Sequence, residues 1–505
     1  MSSRSIVATY QPSTLLAVAV MGAYLLVVVG ATTTLTDAAA ACGTWPACGG
    51  DVLNNPRLAV AWGHRLAAVA VGVLVLAAGI TCWRAGTPRR VRVALVLSVV
   101  LYPVQIGVGA LAATTTLRWV SGVHLAVGMG IFVGLVAALA WQLLDETPTS
   151  PPRATDEPAG SGASGSSKSS QSDPPGSAAA EAAIGTASDP DGLGSNRSDP
   201  GVSNALRPHI IHAQTTAGRV RTVLATYVSM MKPRLMWLLC LVAAAGMALA
   251  AGSALEASTV VATLAGGVLA IGASGTFNHV LERDTDRRME RTADRPLATH
   301  EVPVRNAVVF GLALAIAALA VFASVNRLVA ALGLTAILFY TVVYTLVLKP
   351  NTALSTVLGG AAGALPALIG WVAVTGAFGL PGIALAGVIF LWTPAHFYNL
   401  ALAYKDDYER GGFPLLPVVR GERLTRTRIL WYLAATLLGA SILATLADLG
   451  WVYAGSTVLL GGVFLWTVVR LHRERTERAA FRAFHASNAF LGTVLVAIVL
   501  DTVFL

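Results

Sequence analysis

Charged side chains are scarce in this chain: Asp, Glu, Lys and Arg make up 12% of its 505 residues, against roughly 25% in an average globular protein. Cysteine is scarce as well. Four cysteines are too few for a disulfide framework, although Cys42 and Cys48 sit close together in one polar loop. These shortages exclude a purely water-soluble enzyme and a secreted disulfide scaffold. What fills the chain is apolar: hydrophobic residues are 55% and the mean hydropathy is +0.67, which excludes a disordered chain and suits an integral membrane protein. The formal charge of +9 would suit a nucleic-acid partner only if it were gathered in a soluble basic domain. It is not, so no nucleic acid is expected.

A bilayer-crossing helix needs about 20 mostly apolar residues. On that template four spans are expected near 13–35, 58–82, 92–113 and 120–143. The first run is long, and no obvious small-residue cleavage site is followed by a soluble mature domain, so it reads as a span and not as a signal peptide. From about 145 to 205 the sequence turns to Ser, Gly, Pro and Asp, with nine acidic and three basic residues; it cannot bury a core and reads as a disordered linker. Nine apolar stretches follow, near 234–252, 258–277, 304–323, 328–348, 354–375, 381–402, 427–447, 451–470 and 484–504. The expected fold class is therefore an all-α polytopic membrane protein. Residues 1–145 form a four-helix transmembrane bundle, 146–215 the linker and 216–505 a nine-helix transmembrane bundle. With the N-terminus on the cytoplasmic side, the inside loops hold Arg84, Arg89, Arg90 and Arg92. They also hold the basic residues of 278–303, 349–353, 403–426 and 471–483, as topology requires of Lys and Arg. The expected location is the cell membrane, with both acid-bearing loops cytoplasmic.

Those loops hold the chemistry. Asn278, Glu282 and Asp286 recur every four residues, so if the second span after the linker continues as a helix they share one face. Three oxygen-bearing side chains on one stripe repel each other unless a hard cation lies between them. Mg²⁺ takes one or two carboxylates and completes its shell with water and phosphate. The interleaved Arg283, Arg287, Arg288, Arg291 and Arg295 suit the remaining phosphate oxygens. The competing reading is a solvated loop of mixed charge with ordinary topology-setting arginines. A second acidic cluster, Asp406, Asp407 and Glu409, tips the balance. It comes four spans later, and an even number of crossings puts it on the same membrane face. Two carboxylate groups facing each other across a bundle could hold metal ions on one diphosphate and stabilise it as a leaving group.

The Asn-x3-Glu-x3-Asp pattern and the acidic second loop resemble the UbiA superfamily of intramembrane prenyltransferases. Several ordered blocks resemble its heme O synthase (protoheme IX farnesyltransferase) branch. They are Met231-Lys232-Pro233-Arg234, Met289-Glu290-Arg291-Thr292, Arg295-Pro296-Leu297, Gly359-Gly360-Ala361-Ala362-Gly363-Ala364-Leu365-Pro366, Ile369-Gly370-Trp371, Trp392-Thr393-Pro394-Ala395-His396-Phe397 and Phe413-Pro414-Leu415-Leu416-Pro417-Val418. The first acidic position is Glu282 where many members have Asp. The resemblance implies transfer of a farnesyl group from farnesyl diphosphate to a vinyl group of heme B, giving heme O for heme-copper oxidase assembly. Carried onto this chain, Asn278, Glu282, Asp286, Asp406 and Asp407 become the catalytic, Mg²⁺-binding residues. Lys232, Arg283, Arg287 and Lys405 become diphosphate contacts. His396 is either a hydrogen-bonded packing residue or a heme-related one. Two alternatives remain: a prenyltransferase acting on a quinone or lipid precursor, and a non-catalytic heme-binding scaffold.

In the first four spans the ionisable candidates are His64 and His124. Each is either a hydrogen-bonded core residue or a functional one, and a facing pair of neutral imidazoles can ligate heme iron. With Cys42-Gly43-Thr44-Trp45-Pro46-Ala47-Cys48, Gly63-His64-Arg65, Gln105 to Ala110 and Val123-His124-Leu125, this region resembles one four-helix half of heme A synthase. That family usually carries a carboxylate where this chain has Ala61, and it is built from two halves. The resemblance implies a heme-binding or heme-delivery module, completed by a homo-oligomer or by association with heme A synthase. It also implies a disulfide between Cys42 and Cys48, while Cys82 and Cys240 are expected to be packing residues.

Overall fold

The computed structural model describes residues 12–35, 45–46, 54–115, 117–146 and 216–504. Cys42 and Cys48, and the expected linker beyond Glu146, lie outside the described residues. Among the described residues there are helices and no strand, and thirteen helices are long and apolar enough to cross a membrane. All four spans expected before the linker and all nine after it are present, and the chain is a multi-pass membrane protein.

The first four are α1 (Pro12–Leu35), α2 (Pro56–Arg84), α3 (Arg89–Thr114) and α4 (Arg118–Asp145). Beyond residue 215 come α5 (Thr216–Met230), α6 (Pro233–Ala251), α7 (Ala257–Asp286), α8 (Val304–Val325) and α9 (Arg327–Leu338). The ninth helix continues as a π-helical run, Phe339–Leu348, into the short α10 (Lys349–Asn351). The rest are α11 (Ser355–Thr375), α12 (Leu380–Ala403), α13 (Lys405–Arg410), α14 (Leu416–Val419), α15 (Glu422–Leu446), α16 (Trp451–Glu474) and α17 (Glu477–Val503). Helix α5, too short to span, was not foreseen. Its Val220, Val223, Leu224 and Val228 are exposed at helical spacing, an apolar stripe of the kind that lies in a bilayer interface.

Local chemistry sets the helix ends. The Asn55 side chain accepts from the amides of Arg57 at 3.1 Å and Leu58 at 3.3 Å at the start of α2, and Thr476 accepts from Ala479 N at 3.2 Å at the start of α17. Only Asn326 separates α8 from α9. Its Oδ1 accepts from Val329 N at 2.8 Å while its Nδ2 donates to the Val372 carbonyl at 3.0 Å, so one side chain both turns the chain and ties the turn to α11. Helix α7 runs on past the expected end at 277 to Asp286, because its polar residues there are buried and neutralised.

The first four spans and the nine later ones belong to one compact unit. Tyr24 of α1 donates to the Leu437 carbonyl of α15 at 3.1 Å within the core. Arg473 of α16 reaches Ser13 at 2.8 Å and Thr14 at 2.6 Å, and Arg423 of α15 donates to the Leu144 carbonyl at 2.6 Å. Helices α6 and α11 cross in backbone contact. A Cβ at Gly370 would fall 2.1 Å from the Ala243 carbonyl oxygen, and one at Gly246 would fall 2.5 Å from that of Ala367. Small residues allow such approach, and between apolar helices in lipid that packing is the main source of association.

Candidate active site

The helical continuation of α7 puts Asn278, Glu282 and Asp286 on one stripe, and all three are nearly sealed from solvent at 2%, 6% and 2% exposure. A buried carboxylate is tolerated only when paired, and each member of the stripe has its own cation. Lys232 donates to Asn278 Oδ1. Lys349 reaches Glu282 Oε1 at 2.5 Å, and Arg295 Nη1 bridges both Asp286 oxygens at 2.9 and 2.8 Å.

Lys232 is held by the backbone. It stands just before Pro233 with φ of 58°, a left-handed conformation that is uncommon outside glycine and that clusters at functional sites. Burial, then the positive Arg295, pulls its pKa down to about 8, against the opposing pull of Glu282 and Asp286. The π-helical run supplies the neighbours. Tyr340 Oη lies 3.4 Å from Lys232 Nζ, and Thr345 Oγ1 accepts from Asn278 Nδ2 at 3.3 Å. Single π-type distortions of helices are frequent at functional sites.

The second acidic loop meets the first. Asp407 accepts from Glu290 N at 2.7 Å, Arg291 N at 3.3 Å and Arg410 Nη2 at 2.8 Å, and Arg410 also reaches Glu290 at 3.2 Å. Beneath them Met289, Tyr408, Phe413 and Leu415 share a small apolar core. The Arg291 guanidinium lies over the Tyr404 and Tyr408 rings at 5.1 and 5.6 Å. Asp406, one residue earlier, is exposed. Burial pushes the Asp407 carboxyl up, but the hydrogen bond from Arg410 and those from the two amides outweigh it and hold the group below the usual aspartate range. A depressed pKa means the clamp is present above the ordinary value of about 4 and is lost as pH falls through the lower, folded value. Protease cleavage within 287–303 should therefore stay flat between about pH 7 and 5 in wild type. In Asp407→Ala it should rise severalfold already at neutral pH, because two amides lose their acceptor; equal cleavage of both proteins would refute the clamp.

Behind the stripe, a cavity of about 100 Å³ runs from Lys232 and Tyr340 into the bundle. Leu235, Leu264, Ala270, Phe322, Pro366 and Ile369 make its apolar wall. That apolar wall suits a hydrocarbon chain whose charged head stays at the stripe.

The structure thus gathers Lys232, Asn278, Glu282 and Asp286, and brings Asp407 against the first loop. It does not bring Arg283, Arg287 and Lys405 to the stripe. Arg283 pairs with Asp284 at 3.4 Å, Arg287 with Asp284 at 3.0 Å and the Ala298 carbonyl at 3.0 Å, and Lys405 with Glu422 at 3.4 Å. Sequence reasoning missed Lys349, Tyr340 and Thr345. Lys349 counted there only as a topology residue, and Arg295 only as one arginine among five. Among the described residues no three His, Cys, Asp or Glu side chains converge as a ready-made metal cage. Two carboxylates and an amide oxygen still fit Mg²⁺, which completes its shell from the phosphates it binds.

His396 lies between the rings of Trp392 and Phe484, with centroids at 4.3 and 4.5 Å. In the first four spans, the Nδ1 atoms of His64 and His124 are buried, with no hydrogen-bond partner among the described residues. Gln105 Nε2 lies 3.2 Å from His124 Nε2. Cys82 is buried and Cys240 lines the cavity.

The UbiA prenyltransferase family model matches residues 238–494, and the chain belongs to this family. Within it, the chain is 58% identical over 494 residues to the protoheme IX farnesyltransferase of Haloarcula marismortui, covering 96% of this chain and 97% of that one. It is 55% identical over 502 residues to the protoheme IX farnesyltransferase of Halobacterium salinarum, covering 96% and 97%. Protoheme IX farnesyltransferase 1 of Saccharopolyspora erythraea is 44% identical over 286 residues, 56% of this chain and 91% of that one. Among solved structures, a UbiA homolog from Archaeoglobus fulgidus bound to GPP and Mg²⁺ is 18% identical with a TM-score of 0.43, covering 54% of this chain and 99% of that one.

Proposed function

We propose that this chain is a heme O synthase that transfers the farnesyl group of farnesyl diphosphate to a vinyl group of heme B. The observation that carries the proposal is the sealed Asn278–Glu282–Asp286 stripe at the mouth of an apolar cavity, in a chain 58% identical over nearly its whole length to a protoheme IX farnesyltransferase. Asn278, Glu282, Asp286 and the exposed Asp406 would hold Mg²⁺, with Asp407 keeping the two loops together. Mg²⁺ there would neutralise the diphosphate and make it a better leaving group. Lys232, Lys349 and Arg295 pair with the stripe and are placed to turn to phosphate oxygens when substrate arrives. Arg283, Arg287 and Lys405 would meet the diphosphate only after leaving their present partners.

In the reaction, the allylic C–O bond breaks and diphosphate leaves with the electron pair. The apolar cavity wall keeps water from the resulting carbocation. The heme vinyl group attacks it to form the new C–C bond, and the cation left on the side chain takes up water and loses a proton, giving the hydroxyethylfarnesyl group. The positive loops support a cytoplasmic acid-bearing face and a location in the cell membrane. In the first four spans, the buried Nδ1 atoms of His64 and His124, without a partner among the described residues, support a heme site. Its single-half organisation favours pairing with a second copy or with heme A synthase.

The test is to incubate membranes containing the protein with heme B, farnesyl diphosphate and Mg²⁺ and to weigh the extracted heme. A gain of farnesyl plus water is expected and should vanish with EDTA. Prenylation of a quinone precursor with unchanged heme would overturn the assignment. Loss of a bis-histidine visible spectrum in His64→Ala and His124→Ala is expected if the first four spans hold heme.

A further inference from the structure

The neighbours of His396 settle which of its ring nitrogens carries the proton. Ser487 Oγ donates to the Phe484 carbonyl at 2.7 Å. With its only proton committed, that hydroxyl can meet His396 Nδ1, also at 2.7 Å, only as an acceptor. Nδ1 therefore carries the hydrogen and Nε2 a bare lone pair. The ring cannot easily turn away: Trp392 and Phe484 stack on its two sides, and Trp392 Nε1 donates to the Ser487 carbonyl at 3.1 Å. Fixing the tautomer and plane of an imidazole through its other nitrogen is how proteins prepare a histidine to bind a metal. His396 Nε2 has no hydrogen-bond partner among the described residues, and the side chain is partly exposed at the seam of α12 and α17.

Its level in the bundle also matters. Helices α7 and α12 both end at the acid-bearing face. Asn278 lies eight residues before the end of α7, and His396 seven before the end of α12. At 1.5 Å per residue both sit about 11 Å deep. Along the same seam, Tyr404 packs edge-on against Phe481 at 5.2 Å and carries Arg291 over its ring, so the seam leads directly to the loops around the stripe.

We infer that His396 Nε2 is the axial ligand that holds the iron of the heme substrate, with Ser487 as its positioning residue. This deepens the heme O synthase reading and rests on it. A flat macrocycle anchored at that depth brings its edge to the level of the diphosphate site, and Arg291 at the polar end suits a propionate carboxylate.

The experiment uses the full chain in detergent or nanodiscs, in a His64→Ala, His124→Ala background that silences the first four spans, titrated with ferric heme B. A histidine-ligated Soret spectrum is expected, lost in His396→Ala and restored to His396→Gly by free imidazole. Ser487→Ala should weaken heme binding on the order of 10-fold or more. In turnover, KM for heme should rise while KM for farnesyl diphosphate holds. A spectrum that ignores His396 in a protein that still makes heme O would overturn this inference alone. A spectrum that depends on His396 in a protein that makes no heme O would uphold it and sink the enzyme reading. Failure to bind heme at all would sink both. Restoration by imidazole separates ligand loss from misfolding.

Discussion

Asp286→Asn is expected to lower farnesyl transfer to heme on the order of 10³-fold or more while the protein still purifies as a folded species. Two roles could explain the buried carboxylate, and they make different predictions. If Asp286 only pairs with Arg295, which bridges both its oxygens at 2.8–2.9 Å, the loss is an orphaned charge and the Mg²⁺ dependence of the residual rate should match wild type. If it holds a metal on the leaving diphosphate, the Mg²⁺ concentration for half-maximal rate rises in Asp286→Asn. Glu282→Gln poses the same question through Lys349, and the same loss is expected. Both side chains are too sealed to be ordinary solvated charge, and a carboxylate exchanged for an amide keeps shape while losing the charge that attracts a hard cation. Initial rates from heme mass, at several Mg²⁺ concentrations, are the measurement. Rates within threefold of wild type for both single variants would remove the stripe from the mechanism.

The stripe was legible because helical periodicity is a property of sequence: residues four apart must share a face if the helix continues, and it does. The spans were legible for the same reason, since length and apolarity define a crossing segment. The partners of the stripe were not. Lys349 reads as one more positive loop residue, and nothing in sequence says that it turns back to Glu282. Tyr340 and Thr345 sit in a π-helical run whose changed register sequence periodicity at 3.6 residues does not reveal. Arg283 and Arg287 went the other way. They share the motif with Glu282 and Asp286, but a helix rotates neighbouring residues about 100° apart, and local pairing with Asp284 holds them elsewhere. Asp407 was legible as an acid on the right face, though its bonds to the Glu290 and Arg291 amides depend on a loop fold that spacing cannot supply.

Gly370→Val is expected to abolish the folded protein, and Gly370→Ala to cripple it. At this crossing the α6 backbone occupies the place of the side chain: a Cβ would lie 2.1 Å from the Ala243 oxygen, 2.9 Å from its carbonyl carbon and 3.1 Å from its Cα. No rotamer change relieves a collision with backbone, so the two helices must separate. Overpacking costs about 1–3 kcal/mol where side chains can yield, and here they cannot. Separation would act on the site as well as on stability, because Lys232 immediately precedes α6 and α11 contributes Pro366 and Ile369 to the cavity wall. Gly370→Ala should therefore lower thermal stability and raise KM for farnesyl diphosphate together. The control is Gly387→Ala on α12, where a Cβ would meet nothing within 4 Å and both quantities should stay near wild type. If Gly370→Val instead purifies as a single species with wild-type melting and rate, the crossing does not set the distance between the lysine and the chamber wall. The link from helix packing to the diphosphate site would then have to be abandoned.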